Sequence, residues 1–131
     1  MNKSIRIGGA SGFWGDSYRA TEQLLQDSTL DFIVYDYLAE ITMSIMARAK
    51  AKSPSAGYAT DFIDAVIKPY IKRISTHNTR LISNAGGVNP EKCAEVISEL
   101  VKDLQLNLKV SCITGDDLMS SAQEIKNMNC K

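Results

Sequence analysis

The sequence predicts an α/β domain: an open, mainly parallel four-stranded sheet with helices on its faces, Rossmann-like in organisation. Three observations predict it. Four short apolar runs, at residues 5–7, 32–35, 81–83 and 108–113, are each too short for a helix, and the second and fourth are rich in β-branched residues. A helical pattern follows every one of them, and strand-helix alternation implies parallel strands joined by helical crossovers. Glycine, asparagine and aspartate gather where the strands end, so the loops between strand and following helix share the carboxyl edge, where open α/β sheets bind ligands.

The elements follow in order. After the first run comes the glycine-rich loop Gly8-Gly9-Ala10-Ser11-Gly12-Phe13-Trp14-Gly15, and Asp16 or Ser17 caps a helix reaching about Gln26. Asp36 ends the second strand. Leu38, Ile41, Ile45, Met46 and Ala49 then recur at helical spacing, with Arg48, Lys50 and Lys52 suited to the negative end of the helix dipole. Pro54 and Gly57 mark a loop. The next helix, over 61–74 with Thr60 as its cap, contains Pro69, which removes a backbone donor and predicts a kink or two abutting segments. The third strand runs into Asn84-Ala85-Gly86-Gly87-Val88-Asn89-Pro90, with Asn89 as cap and Pro90 as first helical residue. Ala94, Ile97, Val101 and Leu104 form one apolar face of that helix. The fourth strand ends in Thr114-Gly115-Asp116-Asp117, followed by a weaker terminal helix over Leu118, Ala122, Ile125 and Met128.

Composition narrows the function classes. The 131 residues suit a single domain, residues 1–131, burying roughly two-thirds of its unfolded surface. Lysine plus arginine and aspartate plus glutamate both number 15, with no block of one sign, which excludes the concentrated basic face of a nucleic-acid binder. Cys93, Cys112 and Cys130 show no metal-binding or disulfide spacing. With no signal-peptide run at the start and no stretch of membrane-spanning length, the expected compartment is the cytoplasm.

The first loop offers backbone N–H groups to an anion, helped by the following helix terminus. Gly9, Gly12 and Gly15 resemble a loosened dinucleotide fingerprint, and Asp36, 21 residues past Gly15, stands where such folds place a ribose-binding acid. Yet Gly-x-Gly-x-x-Gly is absent and so is a Walker lysine; a bland tight turn is the competing reading. Asp36, Glu40 and Asp116 are candidate catalytic carboxylates. With Asp117, Asn84 and Asn89 on the same edge, they suit Mg²⁺ or an acid–base pair with separated pKa values. Helix capping explains each singly. The candidate ligand-binding set is Gly9, Ser11, Gly12, Trp14, Asn84, Gly86, Gly87, Asn89 and Asp117, with Phe13 and Trp14 able to stack on a ring or cover the sheet edge.

A serine nucleophile is disfavoured. Ser11 lies outside the Gly-x-Ser-x-Gly elbow, and the one histidine, His77, precedes the third strand at the amino edge. His77 reads as a surface turn residue, Cys112 as an inert core residue on a central strand, and Met43, Met46 and Met128 as core or interface filler.

Five segments together resemble the acyclic terpene utilisation family: Ile7-Gly8-Gly9-Ala10-Ser11-Gly12-Phe13-Trp14-Gly15-Asp16-Ser17; Asp36-Tyr37-Leu38-Ala39-Glu40-Ile41-Thr42-Met43-Ser44; Gly57-Tyr58-Ala59-Thr60-Asp61-Phe62; Ser83-Asn84-Ala85-Gly86-Gly87-Val88-Asn89-Pro90; and Thr114-Gly115-Asp116-Asp117-Leu118. They stand in the family's order and span nearly the whole chain. The resemblance implies the family's amino-terminal domain, and a link to bacterial breakdown of acyclic terpenes such as citronellol and geraniol through coenzyme A thioesters. It attaches no catalytic role to any residue and specifies no cofactor. Family members are longer, so the resemblance also implies a fragment, a split gene product or a truncated relative.

Three functions compete. The first is an enzyme domain of terpenoid or acyl-thioester catabolism, with Gly9, Gly12 and the Ser11 hydroxyl holding an anion, Asp36, Glu40 and Asp116 supplying acid–base or metal-ligand oxygens, and Asn84 orienting substrate. The second is a non-catalytic nucleotide- or dinucleotide-binding module. The third is an inactive fragment assembling as a homo-oligomer or with a partner chain.

Overall fold

The computed structural model describes residues 4–128; Cys130, the third of the scattered cysteines, lies outside them. β1 (Ile7–Ser11), β2 (Phe32–Tyr35) and β3 (Arg80–Ser83) form a parallel sheet in the order β1-β2-β3. Ile33 sits between Gly8 and Leu81 in register, and Tyr35 between Ser11 and Ser83, with a bulge between Gly9 and Ser11. Three of the four predicted strands are present and parallel, the first over Ile7–Ser11 rather than residues 5–7, so Gly8 to Ser11, expected in the glycine-rich loop, belong to the strand.

The fourth is not among them. Residues 108–113 form no strand: Leu108 and Val110 pack on the core, as does Leu106 before them, whereas residues 111–113 are exposed. Alternating hydrophobicity fixes which side chains turn inward; it does not supply a hydrogen-bonded neighbour. Cys112 is therefore exposed rather than a core residue, and Cys93, on the fourth helix, is the buried one.

Helices cover one face of the sheet. α1 (Ala20–Leu24) is held by Ser17, whose hydroxyl accepts the Ala20 N–H at 3.1 Å, and it ends short of the predicted Gln26. Leu24 and Leu30 press on Gly8, where a Cβ would come within 2.9 Å of the Leu24 side chain. α2 (Glu40–Lys52) is phased differently from expectation. It buries Thr42 and Met46, whereas Ile41 is 70% exposed and Leu38 precedes the helix. The Thr42 hydroxyl accepts the Ala39 N–H at 2.6 Å and donates to the Ala39 carbonyl, so a capping bond at the entry sets which side of the helix turns inward.

The expected break at Pro69 takes the form of a π-helical segment, Phe62–Ile67, running directly into α3 (Lys68–His77). Pro69 has no N–H for the carbonyl four residues back; the chain widens instead, and the Lys68 N–H donates to Ile63, five residues earlier. Helical geometry already begins at Thr60, which makes no capping hydrogen bond. α4 (Pro90–Asp103) buries Cys93 and Val101, with Leu104 partly outside. A 3₁₀ turn (Met119–Ser121) and α5 (Ala122–Asn127) close the described chain.

The core joins Ala10, Ile33 and Tyr35 from the sheet to Leu25, Met46, Phe62, Ile67, Ile71 and Val101. Tyr35, Tyr37 and Phe62 meet edge to face, with centroids 5.3–6.3 Å apart. On the opposite face, Ile7 is 62% exposed and Ile82 53%, around half-buried Val34 and Phe32, with the Arg80 guanidinium over the Phe32 ring. Parallel strands usually carry cover on both faces; among the described residues nothing covers this one. No helix among the described residues is long and apolar enough to cross a membrane.

Candidate functional site

Because β1, β2 and β3 are parallel, their following loops meet at one edge, and three of the quoted segments touch there. The Ser11 hydroxyl donates to the Asp36 carbonyl at 3.3 Å. Asn84 joins the ends of β2 and β3: its amide nitrogen donates to the Asp36 carboxylate and its oxygen accepts the Tyr37 N–H, each at 2.7 Å. Ser11, Asp36 and Asn84 are thus neighbours; Asp116, expected beside Asp36 and Asn84, makes no hydrogen bond with them among the described residues. Glu40 is the exposed first residue of α2, whereas Asp36 lies in the preceding extended loop, so the two do not share a helical face at i, i+4.

The glycine loop closes on itself. Asp16 accepts the Gly12 N–H at 2.9 Å and its own N–H donates to the Phe13 carbonyl. The donor expected to hold an external anion therefore already faces a carboxylate. Gly9 sits on the bare face of the sheet, with open space where a Cβ would project. Phe13 is exposed, whereas Trp14 turns inward and donates its indole N–H to Asp61 at 2.5 Å.

Asp61 is a carboxylate that the sequence reading passed over. With Ser11, Asp16, Ser17, Tyr18 and Tyr37 it lines a small cavity of about 10 Å³, room for about one water. Burial holds the Tyr37 phenol well above its ordinary pKa, reinforced by the negative charge of Asp61 and by Tyr35 and Tyr18. The available signal was the Thr60-Asp61 pair inside the third quoted segment, which read as a helix start.

Gly86, Gly87 and Asn89 do structural work. Gly87 has a φ of +55°, and a Cβ there would strike the Met46 sulfur and approach the Gly57 carbonyl to 2.7 Å. The Val88 N–H donates to the Gly57 carbonyl at 3.0 Å, and Ala59 donates to Ala85 at 2.8 Å. Asn89 precedes α4 but its side chain caps nothing; its amide donates to the carbonyls of Pro54 and Ala56 at 2.9 and 2.7 Å. The Lys50 ammonium donates to the Val88 carbonyl at 2.5 Å. These bonds pin the third and fourth quoted segments together over α2.

Asp116 and Asp117 line a mainly apolar groove of about 640 Å³ with Gly87 and Asn89 of the loop after β3 and with Met43, Val88, Leu118 and Ile125. Asp117 also caps the 3₁₀ turn through the Met119 N–H at 3.0 Å. Among the described residues no three His, Cys, Asp or Glu side chains gather to hold a metal. His77, the last residue of α3, is at the amino edge, half-buried, with Nδ1 buried and without a hydrogen-bond partner among the described residues.

The model of one protein family, described as acyclic terpene utilisation family protein AtuA, matches residues 5–130. No curated protein and no solved structure matches the chain.

Proposed function

We propose that this chain, which belongs to the acyclic terpene utilisation family, is a cytoplasmic catabolic enzyme domain that binds a terpenoid or acyl-thioester ligand at the carboxyl edge of its sheet. The observation that carries the reading is the hydrogen-bonded meeting of Ser11, Asp36 and Asn84, which stand at the carboxyl ends of three different strands. A side chain whose only task is to cap its own element does not bond across the sheet. In this reading Asp36 supplies acid–base oxygens, Asn84 fixes its orientation, and Glu40 and Asp116 approach the ligand from α2 and the groove. The apolar groove bordering Gly87 to Glu91 suits the ligand's hydrocarbon part.

The dinucleotide alternative is weaker, because Asp16 occupies the Gly12 N–H and adds negative charge where a pyrophosphate would lie. A second reading, assembly with a partner chain, has an observation of its own in the bare face carrying Ile7 and Ile82.

A thermal-shift comparison of an acyclic terpenoid acyl-coenzyme A, NAD(P), ATP and Mg²⁺ tests the proposal. A ligand present at 100 times its Kd stabilises by about 2.7 kcal/mol, a rise in Tm of roughly 10 °C for a domain of this size. The thioester should give that shift and Asp36→Ala should abolish it; a shift from NAD(P) alone would favour the binding module instead.

A further inference from the structure

From the packing around the glycine loop we infer that Asp61, held in place by Trp14, is the anchoring carboxylate of the carboxyl-edge site, and that it takes a neutral hydroxyl group of the ligand. The inference rests on the reading above, that a ligand binds at this edge, and adds a residue and a ligand chemistry to it.

Four carboxylates were expected to serve this edge, and all four are exposed: Asp36, Glu40, Asp116 and Asp117. Asp61 is half-buried. Its surroundings combine three of the quoted segments: Trp14 from the first, Tyr37 from the second, and Asp61 itself from the third. Trp14 engages Oδ1 only, so Oδ2 is left for a further donor among the described residues. An uncharged indole N–H orients the carboxylate without neutralising it, unlike an arginine or lysine partner.

The lining also sets the class of ligand group. Ser11, Asp16, Ser17, Tyr18, Tyr37 and Asp61 line the cavity, and among the described residues no lysine or arginine is in its wall. Two carboxylates without a cation repel phosphate and carboxylate groups. A neutral hydroxyl fits: it donates to Asp61 and accepts from a tyrosine hydroxyl or from Ser17, the Ser11 proton being already given to the Asp36 carbonyl. The space is that of one water, so a ligand hydroxyl replaces a water of equal size, with the rest of its chain outside. Ala65 and Val66 form the apolar side of the opening.

Trp14 is the protein's one tryptophan, so its emission reads this site directly. The experiment titrates the whole chain with 1-butanol to 1-octanol and with the carboxylates of matching length, following Trp14 fluorescence. The alcohols should give a saturable change and the carboxylates none. Asp61→Asn keeps an oxygen for the indole N–H and should weaken alcohol binding at least tenfold. Trp14→Phe, followed by alcohol-induced shift in Tm, should weaken it several-fold, since Asp61 is then no longer held. Tighter binding of carboxylates than alcohols would overturn the inference. So would unchanged alcohol affinity in Asp61→Asn. If Asp61→Asn does not fold, Trp14→Phe and the alcohol-against-carboxylate comparison in the wild type decide by themselves. Loss of thioester binding in Asp36→Ala with alcohol affinity intact in Asp61→Asn would leave the carboxyl-edge site standing and remove Asp61 from it.

Discussion

The side-chain amide of Asn84 donates to the carboxylate of Asp36 across 2.7 Å, linking the ends of β3 and β2 beyond the last rung of their ladder. The same amide accepts the Tyr37 N–H through its oxygen, so it serves a donor and an acceptor at once. Aspartate is nearly isosteric and can keep only the second of these bonds.

Asn84→Asp should therefore destabilise the protein at neutral pH. The lost charge-assisted bond and the new repulsion between two carboxylates together amount to about 1–3 kcal/mol, toward the lower end because Asp36 is exposed. Urea unfolding of both proteins at pH 7 measures this. Equal midpoints at pH 7 would mean that the Asn84 bridge contributes nothing.

Two glycines of the candidate ligand set should behave oppositely when replaced by alanine. At Gly87 the added methyl collides with Met46 and Gly57 from a left-handed backbone, at a cost of about 2–4 kcal/mol. At Gly9 the methyl enters open space, and Gly9→Ala should stay within about 0.5 kcal/mol of the wild type. If Gly9→Ala nevertheless impairs ligand binding in the thermal-shift assay, Gly9 contacts ligand directly; Gly87→Ala should lower Tm without any ligand present.

Stability should fall steeply in alkali. Burial pushes Tyr35 from its ordinary 10.0 up to about 12, against a partly offsetting hydrogen bond from Thr21, and pushes the Cys93 thiol up to about 11. Tyr37 is raised as well. A group whose folded-state pKa lies above its unfolded value holds its proton more tightly when folded. Its contribution is whole below the unfolded pKa and is lost as pH rises through the folded one. For Tyr35 that is a loss of about 2–3 kcal/mol between pH 10 and 12. Denaturant unfolding from pH 8 to 11.5 should show the decline, and Tyr35→Phe should flatten it; a flat wild-type profile would contradict the burial argument.

How much of this was legible in the sequence depends on whether a residue's role is set locally. β1, β2, β3 and their shared loop edge follow from short apolar runs and turn residues, and Pro69 announced its own disturbance. The phase of α2 did not follow, because isoleucine outranks threonine on any hydrophobic scale while the Thr42–Ala39 bond decides the rotation. Residues 108–113 are a short apolar run, and such a run is silent about a pairing edge. Asn89 looked like a cap because it precedes Pro90, yet its partners lie 35 and 33 residues back in the chain. Asp61 escaped notice for a similar reason: the indole that orients it is 47 residues away. Side-chain bonds over such separations leave no periodic trace.

The bare sheet face makes a final prediction about association. Ile7 and Ile82 project from the two outer strands, on either side of β2, toward the same solvent, with Val34 between them and Arg80 drawn over Phe32. Covering an exposed isoleucine contributes about 1.5–3 kcal/mol. Two of them with Val34 between make a patch that should draw purified chains together at high concentration. Ile7→Lys and Ile82→Lys, at positions already more than half exposed, should change the unfolding free energy by less than about 1 kcal/mol. Each should shift the sedimentation-velocity distribution toward the monomer, and the double variant more so. If the lysine variants associate as readily as the wild type, this face is not what holds the copies together. If they unfold instead, the face is more closely packed than its exposure indicates, and the partner-chain reading loses its one structural support.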